Sequence, residues 1–414
     1  MAISCQQKGG MSPELRKKIE ADTRLQTVSA KAEALIQSGL NAGDGYSEVW
    51  IRDLNTFIEP ACKVCDKSVI REALLTFFKF QGEDGNIVDG YTQRSDRQNG
   101  GVFFYSDLAP QYAAHKNSVE TDQETSLVQA IFKYVKATGD KAFLDEQIKG
   151  LSVKHHLSDA LSFLLNHRYS KEYGLLWGAT TVDWGDVQPE HNWGVLLDSS
   201  SHRSIDIYDN AMFVIALNDF LSLSDTLSEK VYWENVRDSI AFNVRKHLWD
   251  AHNRKFIPHI YLEGSPFPAD FNEDAIHYHG GTAIAIEAGL LKKDEILAVY
   301  RQMQQNVAAA GAQTIGLTIY PVYPNGFFKN PGMYEYGYQN GGDWTWFGGR
   351  MVQQLIANGF YDEACEALSP MLDRVIAHNG FYEWWTPDGQ PKGSGLFRGS
   401  AGVLWKAIEE LKRK

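Results

Sequence analysis

Cysteine is scarce in this chain: four in 414 residues (Cys5, Cys62, Cys65 and Cys365), too few for a disulfide scaffold. Cys62 and Cys65 form a CxxC inside a helical stretch, with neither a second CxxC nor the βαβ setting of a redox site. Buried or half-buried thiols on one helical turn are expected there. Positive charge is the second shortage. The 40 Lys and Arg against 52 Asp and Glu leave a net charge of −12, and no basic stripe is present, which argues against nucleic acid as a partner. Apolar runs fall short of the roughly 20 residues that cross a bilayer, so no transmembrane segment is expected. Linkers are missing as well, since no Pro/Gly/Ser-rich stretch or charge block divides the chain. One catalytic-sized domain over 13–414 is expected, preceded by a disordered or anchor-proximal tail at 1–12.

What the chain has in quantity is aromatic residues and helical periodicity. The 11 Trp, 19 Tyr and 21 Phe make up 12% of the sequence, more than core filling needs and suited to a carbohydrate groove. Apolar residues recur at three- and four-residue spacing over 13–38, 53–81, 121–138, 141–168, 208–223, 227–248, 280–289, 292–308, 343–358, 360–377 and 400–412, which predicts helices. Gly139-Asp140, Gly289 and Asn358-Gly359 interrupt the pattern with short turns, the mark of antiparallel helical hairpins. Polar and aromatic motifs stand just before one helix of each hairpin. These are Trp50-Ile51-Arg52-Asp53, Glu120-Thr121-Asp122-Gln123-Glu124, Asp206-Ile207-Tyr208-Asp209, the stretch Glu273–His279, the stretch Tyr338–Trp344, and Leu396-Phe397-Arg398. Six such sites at near-regular spacing predict repeated αα units rather than an α/β fold. If the six following helices form a parallel inner ring, an all-α (α/α)6 barrel gathers the motifs into one basin at one pole. Strands are expected only as small hairpins decorating the loops, as at Lys255-Phe256-Ile257-Pro258 and Gly101-Val102-Phe103-Phe104-Tyr105.

Two segments carry the chemistry of a glycosidase. Val182-Asp183-Trp184-Gly185-Asp186-Val187 and Gly380-Phe381-Tyr382-Glu383-Trp384-Trp385 each set carboxylates among tryptophans. Splitting a glycosidic bond needs one protonated carboxyl for the leaving oxygen and one carboxylate to activate a water or attack the sugar. Aromatic rings stack on sugar faces, and an apolar wall raises the pKa of an acid. Beside Trp50, Arg52 and Asp53 offer a cation and a carboxylate suited to clamping sugar hydroxyls; the alternative is a helix-capping ion pair. Gly341 and Gly342 allow close approach of backbone to a ligand, and the amides of Gln339 and Asn340 read hydroxyls. His277 and His279 have no third partner at metal-ligand spacing, so neither metal nor cofactor is expected.

In these motifs the chain resembles the six-hairpin glycosidases. Trp50-Ile51-Arg52-Asp53 is similar to the WxRD of glucoamylases and glycogen-debranching glucosidases, which implies Arg52 and Asp53 in the subsite before the cut. Asp183-Trp184-Gly185-Asp186 resembles the DWND of cellobiose-type phosphorylases and the WxD of debranching glucosidases, which implies Asp186 as general acid; a register shift of three residues would choose Asp183. Gln339-Asn340-Gly341-Gly342-Asp343-Trp344 is similar to the QNGG-W stretch of those phosphorylases and of neutral invertases. The phosphate-binding histidine that follows in the phosphorylases is missing from Thr345-Trp346-Phe347, which counts against a phosphate nucleophile. Phe381-Tyr382-Glu383, with Thr386-Pro387-Asp388-Gly389 and Gly399-Ser400-Ala401, resembles a segment of trehalases, processing glucosidases and mannosylglycerate hydrolases, which implies Glu383 as the base of an inverting hydrolysis. The resemblance as a whole implies an exo-acting hydrolase of a small, α-linked glycoside or oligosaccharide, with Trp184, Trp344 and Trp385 lining its pocket and Gln339, Asn340 and Asp343 binding substrate. Two rivals stand beside it: an N-acylglucosamine 2-epimerase-like isomerase using His277 and His279, and a non-catalytic glycan-binding protein on the same fold. Ala2-Ile3-Ser4-Cys5 resembles the end of a bacterial lipoprotein signal, which implies an exported protein; a cytoplasmic one is the alternative.

Overall fold

A computed structural model describes residues 10–97, 102–224 and 226–414. The Cys5 motif, and Gly101 of the expected strand, lie outside the described residues. Thirteen α-helices are present among the described ones: α1 (Pro13–Ala21), α2 (Thr23–Gln37), α3 (Ile51–Val64), α4 (Lys67–Phe80), α5 (Asp122–Thr138), α6 (Val153–His167), α7 (Ile207–Leu223), α8 (Leu227–His247), α9 (His279–Glu287), α10 (Lys293–Ala310), α11 (Thr345–Ala357), α12 (Tyr361–His378) and α13 (Arg398–Lys412). From α3 onward each odd-numbered helix packs on the next odd-numbered one, and α13 returns to α3, closing a ring of six. The even-numbered helices each lie against a member of that ring as an outer layer. This is the (α/α)6 barrel that the motif spacing predicts.

The two layers differ in composition because they differ in what surrounds them. Inner α7 is buried from Ile207 through Leu217 without a break, as a helix enclosed on all sides must be. Its outer partner α8 buries only Trp233, Ile240 and Val244 over 21 residues. Away from the mouth every inner helix contributes to a cluster of charged side chains, Glu59, Lys133, Asp219, Glu287, Arg350 and Lys406, with Lys136 and Glu410 beside them. Lys406 pairs with Glu59, and Arg350 donates to Glu287 at 2.9 Å.

Helix continuity departs from the periodicity at three places. The span 13–38 is two helices, because Asp22 takes an extended backbone and its carboxylate accepts from Arg24 N at 3.0 Å, capping α2. The span 53–81 breaks at Cys65-Asp66, where Asp66 accepts from Ser68 N at 2.7 Å. The span 141–168 opens with a short 3-10 turn at Lys141–Asp145 and a small strand pair before Ser152 caps α6 through His155 N at 3.2 Å. In each case an oxygen side chain offers first-turn N–H groups an acceptor, and a new helix starts there. Apolar spacing runs on across the caps, so periodicity alone merges the pieces.

Strands are short. Trp249–Asp250 pairs with Lys255–Phe256 as an expected hairpin, and Phe104 bridges to Ala114. A three-stranded sheet of Val49–Trp50, Gly90–Gln93 and Tyr112–His115 stands at the entrance to α3. Cys62, Cys65 and Cys365 are free and half-buried, and burial pushes the Cys62 thiol up to about 12, which leaves it protonated and unreactive. No helix among the described residues is long and apolar enough to cross a membrane.

Candidate active site

The N-terminal ends of the inner helices surround a cavity of about 250 Å³. Trp50, Arg52 and Asp53 enter it from the start of α3, Trp344 and Trp346 from the start of α11, and Phe397 from the residue before α13. Loops supply Asp186, Gln339 and Glu383. Of the residues singled out in the sequence, eight meet here: Trp50, Arg52, Asp53, Trp184, Asp186, Gln339, Trp344 and Glu383.

Glu383 is fixed by the hairpin that follows it. Trp384–Trp385 pairs with Pro391–Lys392, which brings Ser394 back to bond Glu383 twice: Glu383 N donates to Ser394 O at 2.9 Å, and Ser394 N donates to Glu383 Oε2 at 3.1 Å. The turn works only with glycine at 393, where φ is +68° and a Cβ would fall 2.3 Å from that carboxylate oxygen. The other oxygen, Oε1, accepts from the Tyr46 hydroxyl at 2.9 Å. Burial raises the Glu383 carboxyl above its ordinary value, while the Ser394 and Tyr46 donors pull it back.

Asp186 faces the cavity from the loop before the third hairpin. Its Oδ1 accepts from Gln339 Nε2 at 2.9 Å, and Oδ2 lies 3.5 Å from Arg52 Nη2. Arg52 is held mainly elsewhere, donating from Nε and Nη2 to the two oxygens of Asp89 at 3.1 Å each, with Asp122 3.9 Å away. Asp53 next to it is 8% exposed, and its Oδ1 has no hydrogen-bond partner. Burial drives Asp53 up to about 7.

The aromatic wall is built by rings packing edge to face. Trp184 lies 4.8 Å from Trp344 and 5.4 Å from Trp346 between centroids, and the indole N–H groups of Trp184 and Trp346 are buried without acceptors. Trp344 donates to Tyr338 O at 2.9 Å. Across the cavity, Trp50 stands 5.4 Å from the ring of His115.

Four of the singled-out residues lie off the cavity. Asp183, three residues before Asp186, is wholly buried and caps α9, accepting Gly281 N at 2.8 and 3.0 Å; burial takes it up to about 8. Asn340 bonds the backbone of Tyr323 at 2.9 Å on both its amide atoms. Asp343 accepts from Thr314 and pairs with Arg374, and Trp385 lies under that same arginine. His277 and His279 also lie elsewhere, at the mouth of α9, where His279 meets Asn306 at 2.9 Å and burial holds it down near 3. Three polar cavity residues, Tyr46, Asp89 and His115, carry no signal in the sequence, while Tyr338 heads one of the motifs and Trp346 follows it, neither being assigned to the site on sequence grounds.

No family model matches the sequence, and no curated protein sequence matches it. Solved structures do. A GH63 mannosylglycerate hydrolase from Thermus thermophilus in complex with glucose is 15% identical at a TM-score of 0.65, over 92% of this chain and 99% of that one. The same enzyme in complex with Tris and D-glycerate is 16% identical at 0.65, over 92% and 100%. A rhamnosidase from Klebsiella oxytoca with rhamnose bound is 14% identical at 0.61, over 94% of this chain and 64% of that one. At such identities the likeness establishes the barrel.

Proposed function

We propose that this cavity is the active site of an inverting, exo-acting glycoside hydrolase that cuts a small, neutral, α-linked glycoside, with Asp186 as general acid and Glu383 as general base. The observation that carries the reading is a pair of carboxylates, each with its own supporting donors, facing one small cavity walled by tryptophan. Both Glu383 oxygens accept hydrogen bonds, which favours the ionised form that removes a proton from water. Asp186 is oriented through Oδ1, and its Oδ2 has only the long contact to Arg52, which leaves that oxygen for the proton passed to the leaving group. An inverting pair needs roughly 6.5–9.5 Å between carboxyl groups to hold the water. Asp53 Oδ1 is a free acceptor for a sugar hydroxyl, and the indole N–H groups of Trp184 and Trp346 are free donors.

The volume and the charge narrow the substrate. About 250 Å³ is below the roughly 300–1,000 Å³ of drug-sized sites, which suits a terminal sugar rather than a polymer groove. Four carboxylates line the cavity, Asp53, Asp89, Asp186 and Glu383, and the one arginine is already engaged by Asp89. An anionic group such as the D-glycerate carried by the Thermus enzyme would be repelled. The isomerase rival loses its pair of histidines, which lie off the cavity. The raised Glu383 carboxyl favours a second allotment of roles, Glu383 as acid and Asp186 as base.

One experiment separates these readings: turnover of aryl glycosides and disaccharides by the wild type, Glu383→Gln and Asp186→Asn, with product anomer followed by NMR. Glu383→Gln should lose about 10²–10⁴-fold on every substrate, and Asp186→Asn should lose most on poor leaving groups. Leaving-group dependence in Glu383→Gln instead would reverse the roles. Sugar binding by a wild type that cleaves none of the panel would make the protein a binder.

A further inference from the structure

Behind the cavity, where α5 and α7 begin, three carboxylates meet with no positive partner. Glu120, Asp206 and Asp209 are 2%, 1% and 0% exposed, and one oxygen from each lies within 4.8 Å of the others. Two of their oxygens are fixed by backbone: Thr121 N donates to Asp209 Oδ1 at 3.1 Å, and Asp209 N donates to Asp206 Oδ1 at 2.9 Å. The remaining four, both of Glu120 and Oδ2 of each aspartate, have no hydrogen-bond donor. A second group points the same way. The Thr121 hydroxyl, 1% exposed and also without a partner, faces the Asp209 carboxylate.

Leaving four buried carboxylate oxygens without a protein partner is costly, because a buried charge without a partner loses its hydration for no return. Arg168 approaches, but it stacks over Trp177 at 4.9 Å, donates to Ser118 O at 2.7 Å, and makes no ion pair with any of the three. Burial pushes all three carboxyls above their ordinary values, with the repulsion of Asp209 next for Glu120 and Asp206. Gly178 packs its backbone close against Asp209, where a Cβ would come within 2.8 Å of Oδ2.

We infer that Glu120, Asp206 and Asp209 form a binding site for one calcium ion. The donors are all oxygen and all anionic, which selects a hard divalent cation over zinc or copper. Oxygens on one ion stand at most twice the bond length apart, about 4.6–5.2 Å for calcium and about 4.0–4.2 Å for magnesium. The three oxygens lie within 4.8 Å of one another, inside the span that one calcium ion can bridge. Burial favours calcium as well, since magnesium dehydrates reluctantly. The anchored oxygens hold each aspartate with its free oxygen inward, the role that outer hydrogen bonds play around metal ligands. The ion would tie the first turns of α5 and α7 together. Those turns carry Asp122 and Tyr208, whose hydroxyl donates to Asp122 at 2.9 Å beside Arg52, so the site would brace the cavity from behind.

The test needs no substrate and is independent of the catalytic reading. The full-length protein is stripped with chelator, and metal content by mass spectrometry and melting temperature by calorimetry are read with calcium, magnesium or neither. The expected result is one calcium per chain after re-addition and removal of excess, with the melting temperature raised by several degrees and magnesium giving less. Glu120→Gln should lose the calcium-dependent rise. If that variant fails to fold, tryptophan-sensitised terbium luminescence of the stripped wild type, displaced by calcium, gives the same information. A stripped wild type that binds no calcium at millimolar concentration and melts unchanged would overturn the site, and the three carboxyls would then be neutral and share protons.

Discussion

The two poles of the barrel treat charge in opposite ways. At the base, Glu59, Asp219 and Glu287 meet Lys133, Arg350 and Lys406, one from each inner helix, and none of the six carries a buried polar atom without a partner. At the mouth, Asp53 Oδ1, Gln339 Oε1, His115 Nε2 and two indole N–H groups are buried and unpartnered. Unsatisfied buried polar groups cost about 1–3 kcal/mol each, so a fold keeps them only where something else completes them. The base is finished by the chain itself. The mouth keeps donors and acceptors that the chain itself does not complete.

Breaking the base should show the largest effect. Lys133 donates to Asn55 O at 2.9 Å and to its Oδ1 at 2.8 Å, and burial lowers it to about 8. Lys133→Met should cost on the order of 2 kcal/mol of stability in denaturant melts. That figure lies between the roughly 3–5 kcal/mol of a fully buried broken pair and the 0–1 kcal/mol of an exposed one. The specific activity of the folded fraction should not change; a variant that melts normally but turns over slowly would erase the contrast. A mouth variant should do the reverse. Tyr46→Phe removes a donor to Glu383 worth roughly 1.5–3 kcal/mol, so the Glu383 carboxyl stays protonated to higher pH. The acidic limb of the kcat/KM profile should move up by about one pH unit, with little change in melting temperature. A third change is in a slope. Asp53 rises from 3.8 to about 7 on folding, so over that window the native chain keeps a proton that the unfolded chain has released. Its stabilising share is whole below the lower value and lost as pH climbs through the upper one. Asp53→Asn should flatten the fall in stability over that range, and an unchanged slope would remove Asp53 as its source.

The barrel is legible in the sequence because its signal is repeated. Six motifs precede six helices, and a misread boundary at Asp22 or Asp66 shifts no motif relative to its helix. The cavity is half legible. Arg52, Asp186 and Glu383 stand in segments whose residue types mark them. Asp89 and His115 arrive instead through strand pairing, Trp50 with Gly90 and Gly90 with His115, between residues far apart in the chain, and Tyr46 through the turn that begins at Gly43. Nothing local announces such a meeting. Asp343 and Asn340 illustrate the converse: a motif tells which residues are polar but not which of them the fold engages internally, Asp343 with Arg374 and Asn340 with Tyr323.

The ring at the base also ties the hairpins together electrostatically. Its members alternate only partly, negative on α3, positive on α5, negative on α7 and α9, positive on α11 and α13, so the neutrality of the whole depends on all six hairpins at once. Removing one charge from one hairpin leaves an excess of the opposite sign that only a change in a second hairpin restores. Six helices that neighbour one another around the ring thereby share one electrostatic constraint rather than six separate ones.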